Sequence, residues 1–180
     1  MVRTTIKALS TAVLVLVAQH GAPHAEPLQS TWKDLRKERP AECLAFLEQY
    51  LADPDCARQA LMARMIAKRI AQCTSGDSSL DGKTITIAGY AHPFELEFNG
   101  VKEFLLIPRM PQACRHPPPP LPDQIISVEF PDGLDINLDP VWVTGILRVR
   151  TGKTHLAPFS YFLEATSVAP ALIPDVPESG

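Results

Sequence analysis

Apolar positions recur with two different periods along this chain, and the period changes near residue 80. Leucines recur at helical spacing over residues 41–51, and a second helix is predicted over residues 54–72. The predicted second helix has an apolar stripe that we expect to pack inward, formed by Leu61, Met65, Ile66 and Ile70. Its basic residues lie towards the other side, which predicts a solvated face bearing Arg58, Arg64 and Lys68.

Beyond residue 80 the apolar residues alternate with a period of two, which is typical of half-buried strands. Five strands are predicted, over residues 83–90, 101–107, 124–130, 141–150 and 161–168. Asn99-Gly100 additionally indicates a hairpin that joins residues 94–98 to residues 101–107. Gly89 and Gly145 interrupt predicted strands, and such glycines mark bulges or barrel corners.

This pattern predicts a mainly β protein with an N-terminal helical pair, an α+β arrangement. The strands fit a small five-stranded barrel of the OB type, and a β-sandwich of similar size is the alternative. The predicted core contains the apolar positions of these strands: Ile85, Ile87, Phe104, Leu106, Ile126, Val128, Val143, Ile146, Leu147, Val149, Phe162 and Leu163.

The N-terminus has the pattern of a secretory signal peptide. Arg3 and Lys7 are followed by an apolar run over residues 8–18 and then by small residues, which predicts cleavage after Ala25, with Ala22 as the alternative. The apolar run is shorter than the roughly 20 residues that span a bilayer, so we expect no stable membrane insertion after cleavage. The predicted location is the periplasm. The predicted organisation is a signal peptide (1–25), a helical segment (26–79), an OB-like domain (80–170) and a mobile tail (171–180).

Composition narrows the classes of function. The chain has 180 residues, 46% of them hydrophobic, which is ordinary for a folded domain. Its net charge of −3 leaves no basic stripe to neutralise a phosphate backbone, so nucleic acid is not an expected partner. Motifs for nucleophilic, phosphate-binding or zinc-protease chemistry are absent from the sequence, and we expect a protein that is not an enzyme.

One loop carries candidate chemistry. Cys114 and His116 precede prolines 117–120, whose fixed φ angles keep the backbone extended. Residues two apart in an extended chain point to the same side, so thiolate and imidazole can converge on one ion, and both suit zinc or copper. His92 and Met110 are the nearest candidates for the further ligands that such a site needs.

Two other interpretations of the loop stay open. Cys114 is a small buried hydrophobe in the first, and His116 then bonds a loop carbonyl. In the second, Cys114 is a nucleophile with His116 as its base, although neighbours in one strand rarely reach hydrogen-bonding geometry. The proline run itself offers either a stiff strap across a barrel mouth or a docking ridge for a partner.

The four cysteines of an exported chain favour disulfides, with three complete pairings available. Cys56 and Cys73 lie at opposite ends of the second helix, roughly 25 Å apart at 1.5 Å per residue, which is beyond the approximately 7 Å limit for a bridge. Cys43 therefore pairs with one of them, or Cys114 takes part. We favour Cys43 with Cys73. A bridged Cys114 would exclude the metal hypothesis.

Several strings of the sequence resemble an exported bacterial family catalogued as domain of unknown function 3299. They are Asp81-Gly82-Lys83 leading into Ala88-Gly89-Tyr90, the run from Glu103 to Pro108, Ala113-Cys114-Arg115-His116 with its four prolines, and the run from Val141 to Leu147. The resemblance covers residues 80–170, and the segment 32–73 matches loosely. It implies no established activity, but it implies export and an association with transporter and metal-uptake genes.

These observations predict a periplasmic accessory protein that is not an enzyme. It would bind a zinc or copper ion, or a partner such as an inner-membrane transporter component, through the loop of Cys114 and His116. The alternative is a structural or protein-interaction module that binds no metal.

Overall fold

A computed structural model describes residues 26–52, 56–110 and 120–172. The predicted signal peptide, Cys114 and His116, and the predicted tail beyond residue 172 lie outside the described residues. Two helices precede the main strands: α1 (Ala41–Leu51) and α2 (Cys56–Cys73). The strands are β1 (Leu28–Gln29), β2 (Thr84–Pro93), β3 (Val101–Ile107), β4 (Ile126–Leu134), β5 (Val141–Lys153) and β6 (Pro158–Pro170).

The strands of the described residues form a sheet in the order β1-β2-β3-β4-β6-β5, and β5 also pairs with β2. That last pairing joins Thr84–Gly89 of β2 to Val141–Ile146 of β5 and closes a five-stranded barrel. The contacts β1–β2 and β4–β6 are parallel, and the other pairings are antiparallel. The predicted OB-like barrel is therefore confirmed, and the closed sheet excludes the alternative of a β-sandwich.

The predicted strand over residues 94–98 is wrong. β2 continues to Pro93 and itself pairs with β3, in the register Pro93↔Phe104, so residues 94–100 form the loop between the two strands. Phe94, Leu96 and Phe98 alternate as strand residues do, but Leu96 and Phe98 are exposed and bury no face. Gly100 still ends the loop with a positive φ of 61°.

Most of the predicted core positions are buried in one cluster inside the barrel. Ile146 and Phe162 are exceptions, because side chains alternate along a strand and their neighbours Leu147 and Tyr161 point inward. The guanidinium of Arg150 instead lies 4.7 Å from the ring centroid of Phe162 on the outside. The core prediction is wrong at these two positions.

The segment before α1 packs against the barrel through Trp32 and Leu35, both fully buried. Trp32 Nε1–H donates to the Ala88 carbonyl oxygen at 2.7 Å. Next to it, a Cβ on Gly89 would lie 2.9 Å from the Trp32 ring, so this glycine permits the ring to approach.

The predicted bulge occurs at Gly145, where the register with β6 shifts.

The two helices are joined by a disulfide between Cys43 and Cys73, whose Cα atoms lie 5.3 Å apart. This is the pairing that was favoured among those left open by the sequence. The predicted inward stripe of α2 is wrong at Leu61 and Met65, which are 60% and 73% exposed. Among the described side chains of α2 only Ile70 and Cys73 are buried, because only the C-terminal turns reach the rest of the fold. Within the described residues, no helix has the length and hydropathy needed to cross a bilayer.

The pKa of the buried Tyr161 is strongly raised, so we expect the protein to lose stability at alkaline pH. Its hydroxyl donates to the Leu35 carbonyl at 2.5 Å and accepts from the Asp77 N–H at 2.7 Å. Burial raises the pKa of Tyr161 to about 12. The unfolded chain then loses this proton first, near pH 10, so the contribution of Tyr161 to the free energy of unfolding falls between about pH 10 and pH 12.

Urea unfolding at several pH values from 8 to 12 measures this dependence. Tyr161→Phe is expected to be less stable than the parent at pH 8, because it leaves the two backbone partners without the hydroxyl, and to lose less stability above pH 10. Equal alkaline slopes for the parent and Tyr161→Phe would contradict the assignment.

Candidate binding site on the outer face of the barrel

The structure describes two of the four residues predicted to bind a metal. His92 lies near the end of β2 and is half-buried, and Met110 lies three residues beyond β3. Cys114 and His116 lie in the gap over residues 111–119, outside the described residues. Among the described residues, no group of three or more His, Cys, Asp or Glu side chains could hold a metal ion. The predicted metal site therefore stays a prediction.

A cavity of about 270 Å³ lies on the outside of the barrel, beside His92. β3 builds its floor because side chains alternate along the strand: Phe104 and Leu106 enter the core, whereas Leu105 and Ile107 point outward. The side chains that line the cavity are almost all aliphatic: His92, Leu105, Ile107, Pro120, Ile125, Leu156 and Ala157. Such a surface is suited to contact with apolar groups.

His92 is the titratable side chain that lines the cavity. Its Nδ1 lies 3.0 Å from the Pro93 carbonyl oxygen. A carbonyl oxygen can only accept a hydrogen bond, so this contact places the proton of the neutral ring on Nδ1. Nε2 then keeps its lone pair and can accept a hydrogen bond or bind a metal ion.

The turn between β5 and β6 forms one side of the cavity mouth, and it is fixed by its own hydrogen bonds. Thr154 Oγ1 accepts from the N–H groups of Leu156 and Ala157 at 3.2 and 3.1 Å. His155 Nε2 lies 2.9 Å from the Phe94 carbonyl oxygen, which ties this turn to the β2–β3 loop. Leu156 is thereby held at the cavity mouth, 43% exposed.

The helical pair fixes the chain immediately after the proline run. Pro120 lines the cavity, and the next residue, Leu121, packs against Leu47 and Cys73. Asp123 forms an ion pair with the Arg39 guanidinium of the segment before α1. The disulfide-linked helices therefore hold the end of the proline run beside the cavity.

Asp123 is the buried charge of this anchor, with 1% of its surface exposed. Burial raises the pKa of the Asp123 carboxyl, and the guanidinium groups of Arg39 and Arg36 offset only part of that effect. Neither Asp123 nor Arg39 was predicted from the sequence to be part of the site. The available signal was a lone carboxylate inside the apolar, proline-rich run 117–126.

The cavity combines hydrocarbon walls with one imidazole. Among the described residues its lining is suited to contact with apolar groups. In OB folds, ligands bind on the face of the second and third barrel strands, between the loops that join strands 1–2 and 4–5. Leu105 and Ile107 of β3, Ile125 before β4 and the β5–β6 turn occupy that face.

These features define a class, namely a small OB-like barrel with an apolar outer cavity and an N-terminal helical pair. The chain belongs to the family described as "Protein of unknown function (DUF3299)", which matches residues 32–170. The predicted resemblance is thus confirmed, and it extends through the helical segment that matched loosely.

A solved structure of a DUF3299 family protein from Pseudomonas aeruginosa is similar to this chain, with 28% identity and a TM-score of 0.55. The similarity covers 81% of this chain and 97% of that one. A small single-stranded DNA-binding protein from Streptomyces coelicolor matches at 16% identity and a TM-score of 0.30, over 52% of this chain and 97% of that one, and supports no inference here. No curated protein matches the chain.

Proposed function

We propose that this chain is an exported accessory protein that binds a partner protein through the outer cavity. We propose further that this partner is a component of an inner-membrane transporter. The observation that carries the proposal is the aliphatic cavity of about 270 Å³. That volume is close to the lower limit of the roughly 300–1,000 Å³ of pockets that enclose small molecules. A cavity of this size can hold one or two apolar side chains of a partner protein. A few buried side chains of this kind carry most of the binding energy of a protein–protein interface.

Export is supported by the signal-like residues 1–25 and by the disulfide between Cys43 and Cys73. Disulfides persist in oxidising compartments such as the periplasm and are rare in the cytosol. A periplasmic location gives the cavity access to the outward-facing parts of an inner-membrane protein. The transporter as partner follows from the gene association that the family resemblance implies.

A cross-linking experiment tests the partner. A photoreactive amino acid at Leu156, at the cavity mouth, is expected to cross-link one inner-membrane protein in cells, whereas the same group at the exposed Leu138 is not. The purified partner should then bind the parent and bind Leu156→Lys about tenfold or more weakly, because a charge would enter an apolar contact. Leu138→Lys is the matched control. Equal affinities for parent and Leu156→Lys would exclude the cavity as the binding site.

As a second candidate function we propose transition-metal binding, of zinc or copper, by Cys114 and His116 with His92 and Met110. The observation in its favour is the His92 ring, whose Nε2 keeps a lone pair beside the cavity. Pro120 lines the same cavity and follows His116 by four residues in the sequence. Thiolate and imidazole ligands would suit either metal.

The metal content of protein purified from its native compartment tests this candidate. The parent and a control, His155→Ala, are expected to retain metal, whereas Cys114→Ser/His116→Ala and His92→Ala are expected to lose it. Equal and negligible metal in all four proteins would remove the candidate and leave the cavity proposal intact.

A further inference from the structure

Helix α2 differs in charge from the rest of the chain. The protein has a net charge of −3, yet α2 carries Arg58, Arg64, Lys68 and Arg69 and has no Asp or Glu. Arg69 contacts α1, with its guanidinium 4.3 Å from the ring centroid of Phe46. Arg64 and Lys68 are exposed, and neither is ion-paired with a carboxylate among the described residues. These two side chains therefore present positive charge to whatever lies outside the helix.

The same helix exposes large apolar side chains. Leu61 and Met65 lie one turn apart, 60% and 73% exposed, and Met62 beside them is also exposed. A single exposed apolar residue is ordinary, but a contiguous group on one helix face marks an interaction surface. Leu61 and Met65 point away from the buried Ile70 and Cys73, so the barrel cannot cover them without a change of fold.

Cations and apolar side chains alternate on this exposed face. Arg64 follows Leu61 by three residues, and Lys68 follows Met65 by three, which places each charge beside an apolar side chain on the helix surface. Basic helices with an apolar side of this kind lie in the plane of a membrane surface, where the apolar side chains enter the headgroup boundary and the cations contact anionic lipids. Long basic side chains reach the headgroups while their stems cover hydrocarbon.

We propose that the exposed face of α2, formed by Leu61, Met62, Arg64, Met65 and Lys68, binds the surface of an anionic phospholipid membrane. Charge complementarity selects this occupant. A second copy of this face would set Arg64 and Lys68 against the same two cations, and a zwitterionic surface would leave the cations uncompensated. The inference does not depend on the outer cavity, whose lining residues lie on other elements.

The disulfide contributes to this arrangement. It ties the C-terminal end of α2 to α1, and Leu47 and Cys73 pack together with Leu121 at the end of the proline run. The helix is therefore fixed with one side towards the fold and the other outward. Membrane binding through that outward side would hold the barrel near the bilayer.

Sedimentation with vesicles tests the proposal, using protein purified from its native compartment. Vesicles of phosphatidylcholine mixed with phosphatidylglycerol are compared with vesicles of pure phosphatidylcholine. Binding to the anionic vesicles is expected to exceed binding to the zwitterionic ones, and to weaken as salt rises from 50 to 500 mM. Each Lys or Arg near such a surface contributes about fivefold, so Arg64→Gln/Lys68→Gln should weaken binding by about tenfold to thirtyfold.

Two further variants separate lipid contact from a general charge effect. Leu61→Gln/Met65→Gln removes the apolar side chains, retains good helix formers and should weaken binding by about tenfold. Lys102→Gln/Lys153→Gln removes the same number of exposed charges from the barrel and should leave binding unchanged within about twofold. All of these positions are exposed, so the melting temperatures should match that of the parent.

Several results would overturn the proposal. They are absence of vesicle binding at 50 mM salt, equal binding to both kinds of vesicle, and an equal loss of binding in the α2 charge variant and the barrel control. Binding of α2 to an acidic protein without binding to anionic vesicles would assign the surface to a protein partner instead. Failure of the Leu156 cross-link does not change these expectations.

Discussion

Trp32→Ala is expected to lower the free energy of unfolding by about 3–5 kcal/mol, the range for removing a large aromatic side chain from a packed core. Trp32 lies 52 residues before Thr84, the first residue of β2, yet its ring is fully buried against the barrel. The substitution removes that packing and also leaves the Ala88 carbonyl without the Nε1–H donor. Gly89 cannot fill the space, because it has no side chain.

Equilibrium unfolding in urea measures the loss. Trp32→Phe keeps most of the ring and loses the hydrogen bond, so we expect it to lie between the parent and Trp32→Ala. Leu96→Ala, at an almost fully exposed loop position, is the matched control and should change stability by less than about 0.5 kcal/mol. A Trp32→Ala protein as stable as Leu96→Ala would mean that the segment before α1 does not pack on the barrel in solution.

The barrel was predictable from sequence because its signals are local. Strand positions such as Ile85 and Ile87 repeat every second residue, and the paired side chains enter one core. Helix α1 likewise has the predicted bounds. The prediction is wrong where apolar residues alternate like a strand but no neighbouring strand is available to pair with them. Phe94, Leu96 and Phe98 alternate like a strand, but β3 is already paired with the extended end of β2.

The outer cavity could be predicted only in part. Residues 104–107 are continuously apolar, and such a run indicates a strand buried on both faces, so an outward-facing apolar surface on β3 was available from the sequence. Its other walls, Ile125 and the turn with Leu156, are brought to β3 by the strand order, which a periodic pattern does not contain. The ion pair of Asp123 with Arg39 joins residues 84 positions apart, and no periodic pattern in the sequence indicates it.

The loop of Cys114 and His116 remains a prediction for a different reason. Proline stiffens the backbone locally, but the direction in which a thiol and an imidazole point depends on the surface against which the loop lies. The structure describes Met110 before this loop and Pro120 after it, and Pro120 lies beside the cavity.

Asp123→Ala is expected to lower the free energy of unfolding by about 3–5 kcal/mol, the cost of breaking a buried ion pair by removing one partner. The pair itself contributes little net stability, because burial raises the pKa of the Asp123 carboxyl more than the neighbouring guanidinium groups lower it. The variant nevertheless leaves the Arg39 guanidinium, which is largely buried, without its counter-charge. The cost is therefore that of an unpaired buried cation.

A double variant separates the cost of the unpaired cation from the net contribution of the ion pair to the free energy of unfolding. Arg39→Met/Asp123→Leu replaces both charges by apolar side chains, and we expect it to be at least 2 kcal/mol more stable than Asp123→Ala, since such replacements are often neutral or stabilising by about 1–4 kcal/mol. Urea unfolding of the parent, Arg39→Met, Asp123→Leu and the double variant gives the coupling energy. Equal stability of the double variant and Asp123→Ala would contradict the assignment of the destabilisation to an isolated charge on Arg39. Because Asp123 follows Pro120 by three residues, the same substitution should also weaken partner binding at the cavity, whereas the double variant should restore it in proportion to the stability regained.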